Sequence, residues 1–271
     1  MVKKIALEEH FLSPGFTDYW QTTAGDITPD MYRQAVARLS DFGDMRLEVM
    51  DRGGIARSVL AISGPGVQIE RDTATAVRKA KQSNDFLAGE IAKRPTRYSG
   101  FAHVALQDAV AAADELERAM GDLGFVGAMI NGHTNGQYLD HPALHPFWER
   151  AQALGAVIYL HPADPIAAMP VLEGTKGLKR AGWEWGVETG SHALRLVYSG
   201  AFRPVPPRHP GARPSRRDPA VSPVASRRQG EVLRREARPA TVGLHPRQHR
   251  GDDFRHVLPR AADVRDIGTR P

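Results

Sequence analysis

Short β-branched runs alternate with helical patterns over the first 202 residues, and the chain changes character abruptly near Phe202. These two observations predict an α/β fold: an incomplete (β/α)8 TIM barrel of roughly five to six βα units, followed by a disordered basic tail. The expected organisation is therefore a barrel region over 1–202 and an Arg/Pro-rich, unstructured segment over 203–271.

The elements follow in chain order. Strands are predicted at Lys4–Glu8, Ser58–Ile62, Tyr98–His103, Val126–Ile130 and Val157–His161. Helices are predicted near Met45–Arg52, Asp72–Lys93, Ala109–Leu123, Pro146–Leu154 and Glu184–Tyr198. Gly53-Gly54, Pro95, Gly124 and Gly155 supply the stops, because glycine accepts the left-handed turn that ends a helix and proline cannot continue one. Residues 12–44, with Pro14, Gly15 and Pro29, read as a long inserted loop after the first strand. Such loops lie at the C-terminal mouth of a barrel, where substrates bind. Five strands fall short of a closed barrel, and nothing after Phe202 reads as a strand.

Composition narrows the function classes. At 271 residues, with 41% hydrophobic and 25% charged residues, the chain is ordinary for one large globular domain. With no cysteine there is no disulfide framework, thiolate metal site or thiol nucleophile. Its start lacks a signal-peptide core, and no apolar run approaches the ~20 residues of a membrane span, so a cytoplasmic protein without membrane partners is expected.

The net charge of +5 is unevenly spread. Residues 203–271 hold 16 Arg, no Lys and 7 acidic residues, a balance of +9, and 11 of the 20 prolines. Only 12 of those 69 residues are Val, Ile, Leu, Met or Phe, too few to offset the entropy of ordering the chain.

Glu8 and His10 are two residues apart at the end of the first predicted strand, so a period of two puts both on one face, toward the barrel mouth. A carboxylate with an imidazole suits a divalent metal such as zinc or manganese, although Glu-x-His by itself also describes a solvated strand end. His161, closing the fifth strand before Pro162, strengthens the ligand reading, because catalytic groups gather at the C-terminal ends of barrel strands. Asn131, in the turn after the fourth strand, either faces a substrate or is a structural turn asparagine. His103 ends the third strand and reads as a satisfied core histidine, with lining the mouth as the alternative. His192, Trp183 and Trp185 read as packing against the barrel, with aromatic substrate walls as the alternative for the tryptophans. His133, His141 and His145 read as polar residues of loops and a helix start.

The runs Lys4-Ile-Ala-Leu-Glu-Glu-His-Phe11, Leu123-Gly-Phe-Val-Gly-Ala-Met-Ile-Asn-Gly132, His145-Pro-Phe-Trp148, Tyr159-Leu-His-Pro162 and Glu188-Thr-Gly-Ser-His-Ala-Leu-Arg195 occur in this order. Together they resemble the decarboxylating branch of the amidohydrolase superfamily, in its γ-resorcylate and 2,3-dihydroxybenzoate decarboxylases. The resemblance covers essentially all of 1–202. It implies that Glu8, His10 and His161 are three ligands of one divalent metal ion, zinc or manganese. It implies non-oxidative decarboxylation of a small aromatic carboxylic acid, with the metal as template and Lewis acid. It also implies a homo-oligomer; with only Phe254 as aromatic, no Lys and many prolines in the tail, no nucleic-acid partner is expected. The family's general acid, an aspartate in a Ser-x-Asp-Tyr/Trp-Pro-Phe stretch, has no counterpart here, so no catalytic residue is assigned.

Arginine without lysine in the tail suggests GC-rich codons read in an unintended frame. Shifting the back-translated codons by one base permits three family-like stretches, in order, after Gly200. We therefore expect a frameshift near codons 200–202, which the coding DNA decides. On that reading the chain as written is poorly soluble or partly folded, and it decarboxylates nothing measurable. Two other readings stand beside the decarboxylase: a metal-dependent hydrolase of a small ester or lactone, and a non-catalytic binding protein with a basic arm. Acid release from a lactone marks the first, and salt-dependent binding to nucleic acid or anionic lipid marks the second.

Overall fold

The computed structural model describes residues 3–200 apart from 23, 25 and 26. The expectations for 203–271 lie outside the described residues.

The elements run in the order β1 (Lys4–Phe11), α1 (Thr17–Gln21), α2 (Pro29–Leu39), α3 (Asp44–Gly53), β2 (Ile55–Ile62), α4 (Thr73–Lys93), β3 (Tyr98–Gly100), α5 (Ala109–Gly121), β4 (Gly127–Asn131), α6 (His145–Leu154), β5 (Val157–His161) and α7 (Glu184–Ser199). Capping side chains start several helices. Asp72 accepts from the Thr75 amide, and Asp108 from the amides of Val110 and Ala111. Each satisfies donors that the first helical turn leaves orphaned. Gly54 and Gly155, at φ 65° and 61°, end α3 and α6 in the left-handed conformation.

All strand pairings are parallel. β1, β2 and β3 form one ladder and β4 and β5 another. A parallel bridge between Ala102 and Ala128 joins them, so the spatial order follows the chain order, as in a winding βα barrel.

The structure corrects several boundaries. β1 continues to Phe11 rather than stopping at Glu8, which puts His10 within the strand. β3 ends at Gly100, short of His103, although backbone bonds carry the ladder on: Phe101 N–H donates to the Leu60 carbonyl and Ala102 N–H to Gly127. Residues 12–44 are not a plain loop but contain α1 and α2. The signal was local, since Thr28 caps α2 by accepting from the Met31 amide and Pro29 occupies its first turn.

Side chains alternate between two cores, as a period of two requires. On the outer face, Leu60, Ile62, Ala102, Ala128 and Ile130 pack against helical residues including Leu87, Leu116 and Phe147. On the inner face, Val59, Ala61, Phe101 and Met129 form a smaller cluster that Tyr159 packs against. Among the described residues β1 pairs only with β2 and β5 only with β4, leaving each with one unpaired edge. Apolar side chains are exposed on both edge strands, with Ile5 at 60% and Val157 at 54%. No helix among the described residues is long and apolar enough to cross a membrane.

Candidate metal centre

Strands β1 and β5 are the two edge strands of the ladder, yet side chains from both come together. Glu8, His10 and His161 each offer a ligand atom, and these atoms all lie within 4.8 Å of one another. The His161 Nε2 is 3.6 Å from the Glu8 Oε1, and the rings of His10 and His161 meet edge-on with centroids 4.7 Å apart. The structure thus brings together the three residues singled out from the sequence as possible ligands.

The route to that convergence differs from a regular strand. The register of β1 against β2 slips between Ala6 and Glu9, so Glu8 lies in an irregular stretch. Bulges of this kind re-aim a side chain. The end of the strand is held by Arg46, whose Nη2 donates to the His10 carbonyl at 2.7 Å.

Burial sets the protonation of the two imidazoles. His10 is pushed down to about 4, mainly by desolvation and then by the neighbouring His161, against the opposing pull of Glu8. Desolvation lowers His161 as well, again opposed by Glu8. Both rings are therefore neutral near pH 7 and carry a free lone pair, the form that binds a metal. The Nδ1 atoms of both are buried without a hydrogen-bond partner among the described residues. One carboxylate and two neutral imidazoles make a donor set that could hold a zinc- or manganese-type cation with positions left open.

Asn131 belongs to β4 as its last residue rather than to a turn, and its Cα pairs directly with that of His161. It is 2% exposed, yet neither its Oδ1 nor its Nδ2 has a hydrogen-bond partner among the described residues. Gly64 lies against it, a Cβ there falling 3.4 Å from the Asn131 side-chain amide, at ordinary contact distance. The turn reading of Asn131 is thereby replaced by a buried polar group beside the His161 strand end.

The reading of residues missed Tyr159. Its hydroxyl donates to the Oε2 of Glu8, and this bond and then desolvation push its pKa up to about 12. The available signal was position alone: Tyr159 precedes His161 by two and shares its face.

The remaining candidates lie outside the cluster of Glu8, His10 and His161. His103 is buried, and its Nε2 accepts from the Val67 amide at 2.9 Å. His192 is buried on α7 and accepts from the Leu139 amide at 2.8 Å. His141 accepts from the Ala143 amide, His133 from that of Gly136, and His145 opens α6 near Glu149. Trp185 donates to Asp164 at 2.7 Å. Trp183 departs from its packing expectation, because it sits just before α7 and is 58% exposed.

The sequence model of a family described as Amidohydrolase matches residues 10–226. The chain belongs to the amidohydrolase family. Among curated relatives, it is 41% identical over 209 residues to the gamma-resorcylate decarboxylase of Rhizobium sp. (strain MTP-10005), covering 74% of this chain and 63% of that protein. It is 40% identical over 223 residues to the gamma-resorcylate decarboxylase of Rhodococcus jostii (strain RHA1), covering 79% and 66%. The chain therefore spans less than two thirds of the length of these relatives. A solved 2,6-dihydroxybenzoate decarboxylase in complex with 2,6-dihydroxybenzoate aligns with TM-score 0.68 at 40% identity, covering 74% of this chain and 64% of that one. A dihydroxybenzoic acid decarboxylase from Polaromonas sp. JS666, with bound manganese and the inhibitor 2-nitroresorcinol, aligns with TM-score 0.68 at 40% identity, covering 74% and 62%. The parallel α/β architecture of this family member is that of its structural neighbours.

Proposed function

We propose that residues 1–202 carry the metal-binding part of a non-oxidative decarboxylase acting on a hydroxybenzoate-type aromatic acid. The observation that carries this reading is the convergence of Glu8, His10 and His161, with the unpartnered Asn131 amide on the adjoining strand. The dihydroxybenzoate and manganese named for the structural neighbours support it. A zinc or manganese ion bound here would supply a template and Lewis acid for the substrate's carboxylate and ortho hydroxyl.

The chain's own residues do the rest of what can be assigned. The two neutral histidines and the Glu8 carboxylate provide the donors. Asn131, buried and free to bond, orients a substrate oxygen through its amide. The reaction needs a proton delivered to the ring carbon that bears the carboxylate, and carbon dioxide leaves as aromaticity returns. No described residue is assigned that proton, and the family's aspartate-bearing stretch is absent from the sequence. We accordingly propose that the tail over 203–271 is out of frame and that this chain as written turns over no substrate.

The test uses two proteins, the 271-residue chain and a version with the frame restored after codon 200, each with manganese and 2,6-dihydroxybenzoate. The expected result is carbon dioxide release by the restored protein alone. Acid release from a lactone in its place would favour the hydrolase reading. Turnover of a dihydroxybenzoate by the unaltered chain, or coding DNA whose other frame is closed by stops, would overturn the proposal for the tail.

A further inference from the structure

We infer that Tyr159 is a positioning residue, which decides the oxygen that Glu8 offers to the cation. The inference rests on the metal-site reading above and adds to it a residue outside the ligand set. The two carboxylate oxygens of Glu8 face different partners. Oε2 accepts the hydroxyl of Tyr159, whereas Oε1 points to the Nε2 of His161, 3.6 Å away. One oxygen is capped and the other is left toward the imidazoles.

The need for such a device follows from the local structure of β1. Glu8 lies where the strand register slips, and its side chain is 45% exposed, so neither a regular ladder nor surrounding packing fixes its rotamer. Tyr159 has the rigidity that Glu8 lacks. Its ring packs against the inner core and lies 6.0 Å from that of Phe101. Being two residues before His161, it is carried by the same strand face, so β5 delivers one ligand and the holder of another as one unit.

Partners of this kind hold a ligand in its productive orientation before the metal arrives, and losing one weakens metal binding by about 10–100-fold. Tyr159→Phe removes only the hydroxyl and keeps the ring in the inner core. The experiment titrates manganese into the purified or refolded 271-residue chain and follows the free ion by electron paramagnetic resonance. Wild type, Tyr159→Phe and Glu8→Gln are compared, and each is melted without metal.

The expected result is a metal Kd raised by about 10–100-fold in Tyr159→Phe, with an unchanged melting temperature in the absence of metal. Absorbance supplies a second readout: saturating wild type with manganese should perturb a tyrosine band, and this change should be missing from the variant. An equal Kd in wild type and Tyr159→Phe would overturn the inference while leaving the metal site standing. A lower metal-free melting temperature with an unchanged metal-induced gain would make Tyr159 a structural residue only. No saturable binding by wild type, or full binding by Glu8→Gln, would instead sink the metal-site reading itself.

Discussion

The two faces of the parallel sheet have divided the work between them. The outer face is largely apolar and packed by helices: Leu60, Ile62 and Ile130 share one core with Leu87, Leu116 and Phe147. The inner face is apolar at Val59, Phe101 and Met129 but polar at the strand ends, where Glu8, His10, Asn131 and His161 lie. Outer burial stabilises by roughly 1.5–3 kcal/mol per large aliphatic side chain, with no demand on exact chemistry. There Glu8 is held by Tyr159, while the Nδ1 atoms of His10 and His161 and the amide of Asn131 are buried without a partner among the described residues, an arrangement that costs stability rather than adding to it. Stability and chemistry thus sit on opposite sides of the same five strands, and substitutions should separate them.

The largest effect is expected on the outer face. Phe147 is 0% exposed, so Phe147→Ala should cost about 3–5 kcal/mol in denaturant unfolding through lost burial and the cavity left behind. Whatever variant protein remains folded should still bind manganese with near wild-type affinity. A variant that kept its stability and lost the metal would break the division of labour.

His161→Ala should do the reverse. Removing a ligand should weaken manganese binding by more than about 100-fold, beyond the loss of a ligand's partner, with a small change in metal-free melting. Calorimetric titration of the variant reads both the affinity and, through a parallel melt, the stability.

Acid should act on both faces through histidines that burial keeps neutral. His103 is held down to about 3 and His192 to about 4, both chiefly by desolvation. Each folded value lies below the unfolded one near 6.5, so this stability is fully present above pH 6.5 and is lost as pH falls toward the folded values. The slope is about 1.4 kcal/mol per pH unit for each buried histidine in that window. Metal-free melts between pH 7 and 4 should show this decline, and His192→Gln should flatten it. A flat profile in wild type would show that neither ring is buried neutral.

The smallest effect is expected at Asn131. Asn131→Ala should weaken binding of 2-nitroresorcinol to the manganese-loaded protein by about tenfold, the worth of one or so neutral hydrogen bonds, and leave the metal Kd unchanged. An unchanged inhibitor affinity would return Asn131 to a packing role.

Much of this was legible in the residues. β5 and the core of each βα unit follow from short-range periodicity, and the stops at Gly54 and Gly155 from the left-handed backbone that glycine tolerates. Glu8, His10 and His161 were visible as candidates because ligand-type residues at strand ends are recognisable one strand at a time. The helix α2 was overlooked, although the Thr28-Pro29 cap announced it, because the prolines and glycine around it suggested a loop. Tyr159 stayed hidden because its partner Glu8 is 151 residues away and a lone tyrosine on an apolar strand says nothing of a carboxylate.

What the sequence alone determined was the order and type of the elements, since hydrophobic period, caps and breakers act within a turn or two of the chain. What only the tertiary structure decided was who meets whom across the sheet. The slip in β1, the placement of Asn131 beside His161 and the grip of Tyr159 on Glu8 all arise from sheet curvature and strand register. Those are collective properties of five paired strands, and no single strand encodes them.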